Sequence, residues 1–255
     1  MNVKKKIKVP SEAVYVASCV LLALAVAMLT AADFGVSMIV APAYILHLKL
    51  GFLTFGQAEY VIQALFFVAL CVVLKKFKPV FLFSFFTCLF YGAVLDQWRL
   101  IPFFNTSVTP PESIPIAARI ALFAAGLVLT SFSVALVFKT YLYPQVYDFF
   151  VKSVSSKFGI KLSKFKTCFD LSMLLAATAM TLLFFGEFRG IWFGTLVIAL
   201  VNGTIIGAFC KMFDKHFESV PLFPKFAALF AVDAKKSDGA QSGARPTQID
   251  TPALP

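Results

Sequence analysis

Charged side chains are scarce. Lysine, arginine, aspartate and glutamate make up 14% of the 255 residues, where soluble domains carry about a quarter. Histidine and tryptophan each occur twice, and the five cysteines, Cys19, Cys71, Cys88, Cys168 and Cys210, show no CxxC spacing. These absences point to neither a zinc site nor a disulfide framework. A phosphate-binding loop with its lysine, a GxSxG elbow, an HExxH pair and a dinucleotide fingerprint are all missing. An ATP-driven pump on this chain alone is therefore disfavoured, and no cofactor or metal is called for.

What fills the space is apolar. Hydrophobic residues reach 60% and mean hydropathy +0.85, against roughly 45–50% apolar in soluble domains. The formal net charge of +10 invites a nucleic-acid partner, since basic surfaces neutralise phosphates. The lysines, however, flank bilayer-length apolar runs, where cationic loops set membrane orientation. The expected partner is the lipid bilayer, and no nucleic acid.

Six apolar runs, at 13–32, 55–74, 80–95, 117–138, 167–185 and 191–210, approach the roughly 20 residues that cross a hydrocarbon core. The first follows Lys4, Lys5, Lys6 and Lys8 but is longer than a signal-peptide core and is followed by further spans, so it reads as an uncleaved helix. Two shorter segments, 36–48 and 141–151, contain Pro42 and Pro144. If the first of them crossed, the Lys75, Lys76, Lys78 cluster would face outward, against the positive-inside rule. If neither crosses, only Lys49, Arg99, Arg119 and Arg189 of the 23 basic residues lie outside or at the outer interface. The reading is an all-α polytopic protein of the bacterial inner membrane, with about six transmembrane helices, both termini cytoplasmic, and two re-entrant or interfacial hairpins.

Sliding the sequence on itself superposes Phe77, Lys78 and Pro79 on Phe188, Arg189 and Gly190. The same shift pairs Ser84 with Thr195, Leu89 with Leu200, Gly92 with Gly203 and Glu59 with Asp170, and a small gap change aligns Pro42 with Pro144. Each half reads as span, proline-broken hairpin, span, span. An odd number of crossings per half makes the two three-helix repeats inverted, an arrangement many secondary transporters share; the other reading is a duplication that only builds a stable bundle. The resulting division is a basic cytoplasmic N-terminus (1–12), membrane repeat 1 (13–95), an extended outer linker (96–116), membrane repeat 2 (117–210), an interfacial amphipathic segment (211–232) and a disordered tail (233–255).

Ala32-Asp33-Phe34-Gly35-Val36-Ser37 resembles the element that follows the first helix of the YitT/YczE-like bacterial membrane proteins. Gly92-Ala93-Val94-Leu95-Asp96 is similar to that family's Gly-x-x-x-Asp helix ending. Tyr143-Pro144-Gln145-Val146-Tyr147-Asp148 resembles its Pro-x-x-Asp hairpin, and Gly190-Ile191-Trp192-Phe193-Gly194-Thr195, followed by Asn202-Gly203, its Gly-Thr helix start. The resemblance covers nearly all the membrane part. It implies the fold and says little of the activity, because that family is largely uncharacterised.

A charge near the middle of a span costs about 2.5 kcal/mol or more, so an intramembrane carboxylate is a functional candidate by default. Glu59 and Asp170 qualify, each about one turn inside its span and related by the repeat. Asp33 and Asp96 lie at outer helix ends, where a helix-end role competes evenly with ligand binding. The hairpins add Ser37, Pro42 and Tyr44 on one side and Tyr143, Pro144, Tyr147 and Asp148 on the other; Asp148 alternatively pairs with Lys152 on a solvated face. Asn202 completes the substrate-binding candidates, although an amide beside Gly203 serves more often as a bridge between helices. His47 and Lys49 mark the rim of the first hairpin, and Trp98 and Trp192 the outer interface.

The leading expectation is a secondary transporter of an unidentified small molecule or ion, with proton coupling as one option and a homo-oligomer allowed. The alternative is a non-transporting scaffold that binds a partner protein. An intramembrane enzyme ranks last, because nothing pairs Cys168 or a serine with a base.

Overall fold

A computed structural model of the chain describes residues 7–75, 77, 81–142, 144–224 and 227–228. Among them run β1 (Ile7–Pro10), α1 (Ser11–Ala32), α2 (Ala41–Lys49), α3 (Phe55–Leu74), α4 (Phe81–Arg99), α5 (Ile116–Val137), α6 (Val146–Phe158), α7 (Leu162–Phe185), α8 (Phe193–His216) and β2 (Phe217–Val220). Six helices, α1, α3, α4, α5, α7 and α8, are long and apolar enough to cross a membrane, and the chain is an all-helical multi-pass membrane protein. The 9 residues of α2 and the 13 of α6 do not suffice. At 1.5 Å per residue even α6 rises only about 20 Å, against roughly 30 Å of hydrocarbon.

Pro42 and Pro144, expected as breaks inside the short segments, instead start helices. Pro42 stands in the first turn of α2 and Pro144 just ahead of α6, positions where the missing N–H leaves no intrahelical bond unmade. The irregular backbone precedes each short helix. Helix ends follow local rules: Gly159 and Gly186 close α6 and α7 in the left-handed conformation that glycine takes without a Cβ penalty.

α1 is the most buried span. Its Ala23, Ala25, Ala27, Ala31 and Ala32 are fully or almost fully covered, and α5 and α4 pack along it. A Cβ on Gly126 of α5 would meet Leu29 at 3.0 Å, so small residues set the approach of these two helices, as is usual in membranes. Around this centre α3 packs on α4 and α8 on α5, while each short helix bridges two spans: α2 touches α3 and α7, and α6 touches α7 and α3.

Two segments differ from their sequence reading. The linker at 96–116 is folded: α4 continues to Arg99, and prolines open two 3-10 turns at Pro102–Phe104 and Pro111–Ser113. Phe104 packs against the main core, and Arg99, 7% exposed, donates to Thr106 Oγ1 at 3.3 Å. The segment that follows Cys210 does not begin a separate surface helix. α8 runs on to His216, where the Phe213 ring packs edge-on against Phe132 and tilted against Phe217, and residues 217–220 form β2. β2 pairs in parallel with β1, Ile7 opposite Phe217, and the Glu12 carboxylate accepts from the Leu222 and Phe223 N–H groups. The start of the first span and the end of the sixth therefore lie on one side. The tail at 233–255 and Tyr143 fall outside the described residues.

Candidate functional site

The polar centre of the molecule is built on α3. Glu59 and Gln63 are one helical turn apart, face the same way, and are both fully buried. Gln63 Nε2 donates to Glu59 Oε2 at 3.1 Å and to Gln145 Oε1 at 3.1 Å, while Gln63 Oε1 accepts the backbone N–H of Val146 at 3.1 Å. The first N–H of α6 is thus satisfied by a side chain from α3. Tyr147, also on α6, donates its hydroxyl to Glu59 Oε2 at 3.1 Å. Two groups of this network have no hydrogen-bond partner among the described residues: Glu59 Oε1 and Gln145 Nε2.

A second cluster joins α6 to α7. Lys166 lies 3.1 Å from Asp148 and 3.2 Å from Asp170. Asp148 therefore pairs with Lys166, from the neighbouring helix, and not with Lys152. Glu59 and Asp170 do not meet: the rings of Phe66, Phe150 and Phe169 pack between α3, α6 and α7. What links the two acids is α6 itself, whose consecutive residues Tyr147 and Asp148 each hold one end.

The outer acids hold helix ends. Asp33 closes α1 in the left-handed conformation (φ 54°), which aspartate tolerates better than most side chains. Arg119 of α5 donates from Nε to the Ala32 carbonyl at 2.8 Å and pairs with Asp33 at 3.5 Å, placing a cation at the negative end of α1. Burial raises the Asp33 carboxyl above its ordinary value, an effect the Arg119 guanidinium opposes. Asp96 of α4 accepts Thr54 Oγ1 at 2.6 Å and the Gly56 N–H at 2.8 Å, beside the capping box of Thr54 and Gln57. It lays a carboxylate on the positive end of α3. Asp96→Asn is expected to lower stability by about 1 kcal/mol, read as a fall in Tm of about 2–4 °C, without touching the Glu59 network.

The remaining candidates are scattered. The Ser37 carbonyl accepts the N–H groups of Val40 and Ala41 and turns the chain into α2. Tyr44 is buried, its ring 5.2 Å from that of Phe55, with Gly190 so close that an added Cβ would meet Tyr44 at 2.7 Å. Asn202 accepts the Ser131 hydroxyl at 2.6 Å, a bridge between α8 and α5. His47 Nδ1 meets the Leu53 carbonyl, and Lys49 donates to the Phe184 carbonyl at the end of α7. Trp192 is exposed, but Trp98 turns inward and donates to the Val20 carbonyl at 3.2 Å.

Gln63, Gln145, Lys166 and Arg119 join these sites without being among the sequence candidates for them. Gln63 had a signal: a second polar residue four positions from Glu59 in the same apolar run. Lys166 likewise stands four positions before Asp170 in the sequence. Gln145 and Arg119 had none, because their partners are distant in the chain.

The two glycine-bearing motifs meet directly. The Gly194 N–H donates to the Phe34 carbonyl at 2.8 Å and the Val36 N–H to the Gly190 carbonyl at 3.2 Å, so 34–36 and 190–194 pair at the head of α8. No curated protein and no solved structure matches the chain. Over residues 9–211 it matches the family described as "Family of unknown function (DUF6198)", and nothing in that match singles out the YitT/YczE-like proteins. The matched stretch runs from β1 into α8 and holds both polar clusters and both glycine motifs, so the chain belongs to DUF6198, a family of unknown function.

Proposed function

We propose that this protein is a secondary transporter of a small molecule or ion, acting by binding and movement and not by catalysis. It resides in the inner membrane of a bacterium, with both termini cytoplasmic. One observation carries the reading: a fully buried acid, Glu59, is held by a side chain from the opposite half of the sequence, Tyr147. A buried ionisable group inside a span is costly and marks a pathway more often than a structural joint.

The packing supports two inverted repeats, α1–α4 and α5–α8. α1 lies against α5, α2 against α7 and α6 against α3, while the packing of α1 on α4 and α2 on α3 within the first half answers to α5 on α8 and α6 on α7 within the second; the α3–α4 packing lacks a counterpart of similar extent among the described residues. Each short helix thus reaches into the other half, as in transporters whose interrupted segments frame a midplane site. In this scheme the halves rock about the Glu59 network, and the first turn of α6 carries the movement to the Asp148–Lys166–Asp170 cluster.

The test is uptake into liposomes over a broad panel of ions and small solutes, with Glu59→Gln and Asp170→Asn in parallel. Hydrogen bonds to a charged group are worth about 1.5–3 kcal/mol, so Glu59→Gln should cut flux by about tenfold or more. Flux no greater than in empty liposomes for every solute would sink the proposal and favour a scaffold.

A further inference from the structure

We infer that the ligand carried by Glu59 is a proton, not a metal cation or an anion. This rests on the transport reading and deepens it. An anion is disfavoured by the charge inventory, since no lysine, arginine or histidine bonds to Glu59 among the described residues. The groups that face it are Tyr147 from α6 and Tyr91 and Cys88 from α4, while Tyr44 and His47 of α2 lie at the Phe55 end of α3.

A metal cation is disfavoured by the oxygen inventory. Hard cations take about six to eight oxygen ligands. Here Gln63 Oε1 already accepts Val146 N–H, Gln145 Oε1 already accepts Gln63 Nε2, and the Tyr147 hydroxyl is turned to Glu59 as a donor. Among the described residues Glu59 Oε1 is the one oxygen of this network that has no hydrogen-bond partner. Nor do the described residues hold a group of three or more His, Cys, Asp or Glu that could bind a metal. A proton needs no further ligands: it attaches to Glu59 and removes the charge that burial penalises.

Release has a built-in response. Loss of the proton leaves a carboxylate that needs more donors, and Gln145 Nε2 is the N–H group of the same Gln63-centred network that has no partner among the described residues. Gln145 is also the residue that opens α6. Its amide, drawn toward Glu59, would shift the first turn of α6 and so tie the charge of Glu59 to the position of that helix.

The test is infrared difference spectroscopy of the full chain in lipid nanodiscs, titrated in H2O and D2O. The expected result is a protonated-carboxyl C=O band at neutral pH that shifts in D2O. It should persist in Asp33→Asn, Asp96→Asn and Asp170→Asn, vanish in Glu59→Gln, and move in Tyr147→Phe, which keeps the acid but loses one donor. Replacing sodium chloride by choline chloride should leave it unchanged. Absence of a band that responds to both Glu59→Gln and Tyr147→Phe overturns the inference, as does a band abolished by added sodium. The transport reading fails separately: a titrating Glu59 in a protein that moves no solute refutes transport and leaves the proton site standing.

Discussion

Gly56→Ala is expected to destabilise the protein severely, whereas Gly203→Ala and Gly207→Ala, in equally helical surroundings, leave it unchanged or slightly more stable. In an open helix alanine is favoured over glycine by about 1 kcal/mol, and among the described residues nothing lies within 4 Å of a Cβ built on Gly203 or Gly207. At Gly56 the same methyl would run into the Gly92 carbonyl oxygen, with the Gly92 carbonyl carbon at 2.7 Å and Asp96 Oδ2 at 2.6 Å. Backbone cannot step aside as a side chain can, so α3 and α4 must separate. Overpacking of this kind costs about 1–3 kcal/mol or more, and separation also pulls Gly56 N–H and Thr54 from Asp96. Thermal unfolding in detergent, followed by the loss of the monodisperse species, should lower Tm by more than the 2–4 °C or so expected per kcal/mol in a chain of this size. Equal Tm values for Gly56→Ala and Gly203→Ala would refute the close crossing.

That contrast also shows where sequence reading reaches and where it stops. The spans were legible because each must hide about 20 residues from water; the run at 55–74 and α3 coincide. Gly92 and Gly203 align in the sequence repeat, and small residues of this kind permit close helix approach in membranes. In the structure the space beside Gly92 is filled by Tyr60 and Gly56, whereas no described residue comes within 4 Å of a Cβ on Gly203: α3 packs along α4, and α7 and α8 show no comparable packing among the described residues. Periodicity reports which face is small and not what covers it.

The acids divide the same way. Glu59 stood out because nothing in an apolar run explains a carboxylate. Asp33 and Asp96, which also border apolar runs, serve as a helix closure and a helix cap. Depth along the span was the only clue separating them. Tyr147 and Asp148 of α6 stand out in the sequence, but the docking of α6 on Glu59 does not, since Gln63, Gln145 and Tyr147 converge only after two helices from opposite halves have docked.

Gln63→Leu is expected to loosen α6 selectively. The leucine fills a similar volume but removes one acceptor and the donor that serves two oxygens, so Val146 N–H, Gln145 Oε1 and one bond to Glu59 Oε2 lose their partner together. Leaving a buried polar group unmatched costs about 1–3 kcal/mol, although polar pairs in bilayers have averaged nearer 0.6 kcal/mol. Even the lower figure, applied to three groups at once, exceeds the roughly 1.4 kcal/mol that corresponds to tenfold in an equilibrium constant. Hydrogen exchange resolved by segment should therefore rise by about tenfold or more across residues 146–149, with α1 and α5 unaffected, because α6 is tied to α3 at that turn while the α1–α5 seam shares no group with it. Unaltered exchange at 146–149 would mean that Tyr147 and the aromatic cluster around Phe66 hold α6 alone. A rise spread evenly over all helices would instead make Gln63 part of a global core. Selective loosening is the result that makes the first turn of α6 a separately movable element, which any coupling between Glu59 and the Asp148–Lys166–Asp170 cluster requires.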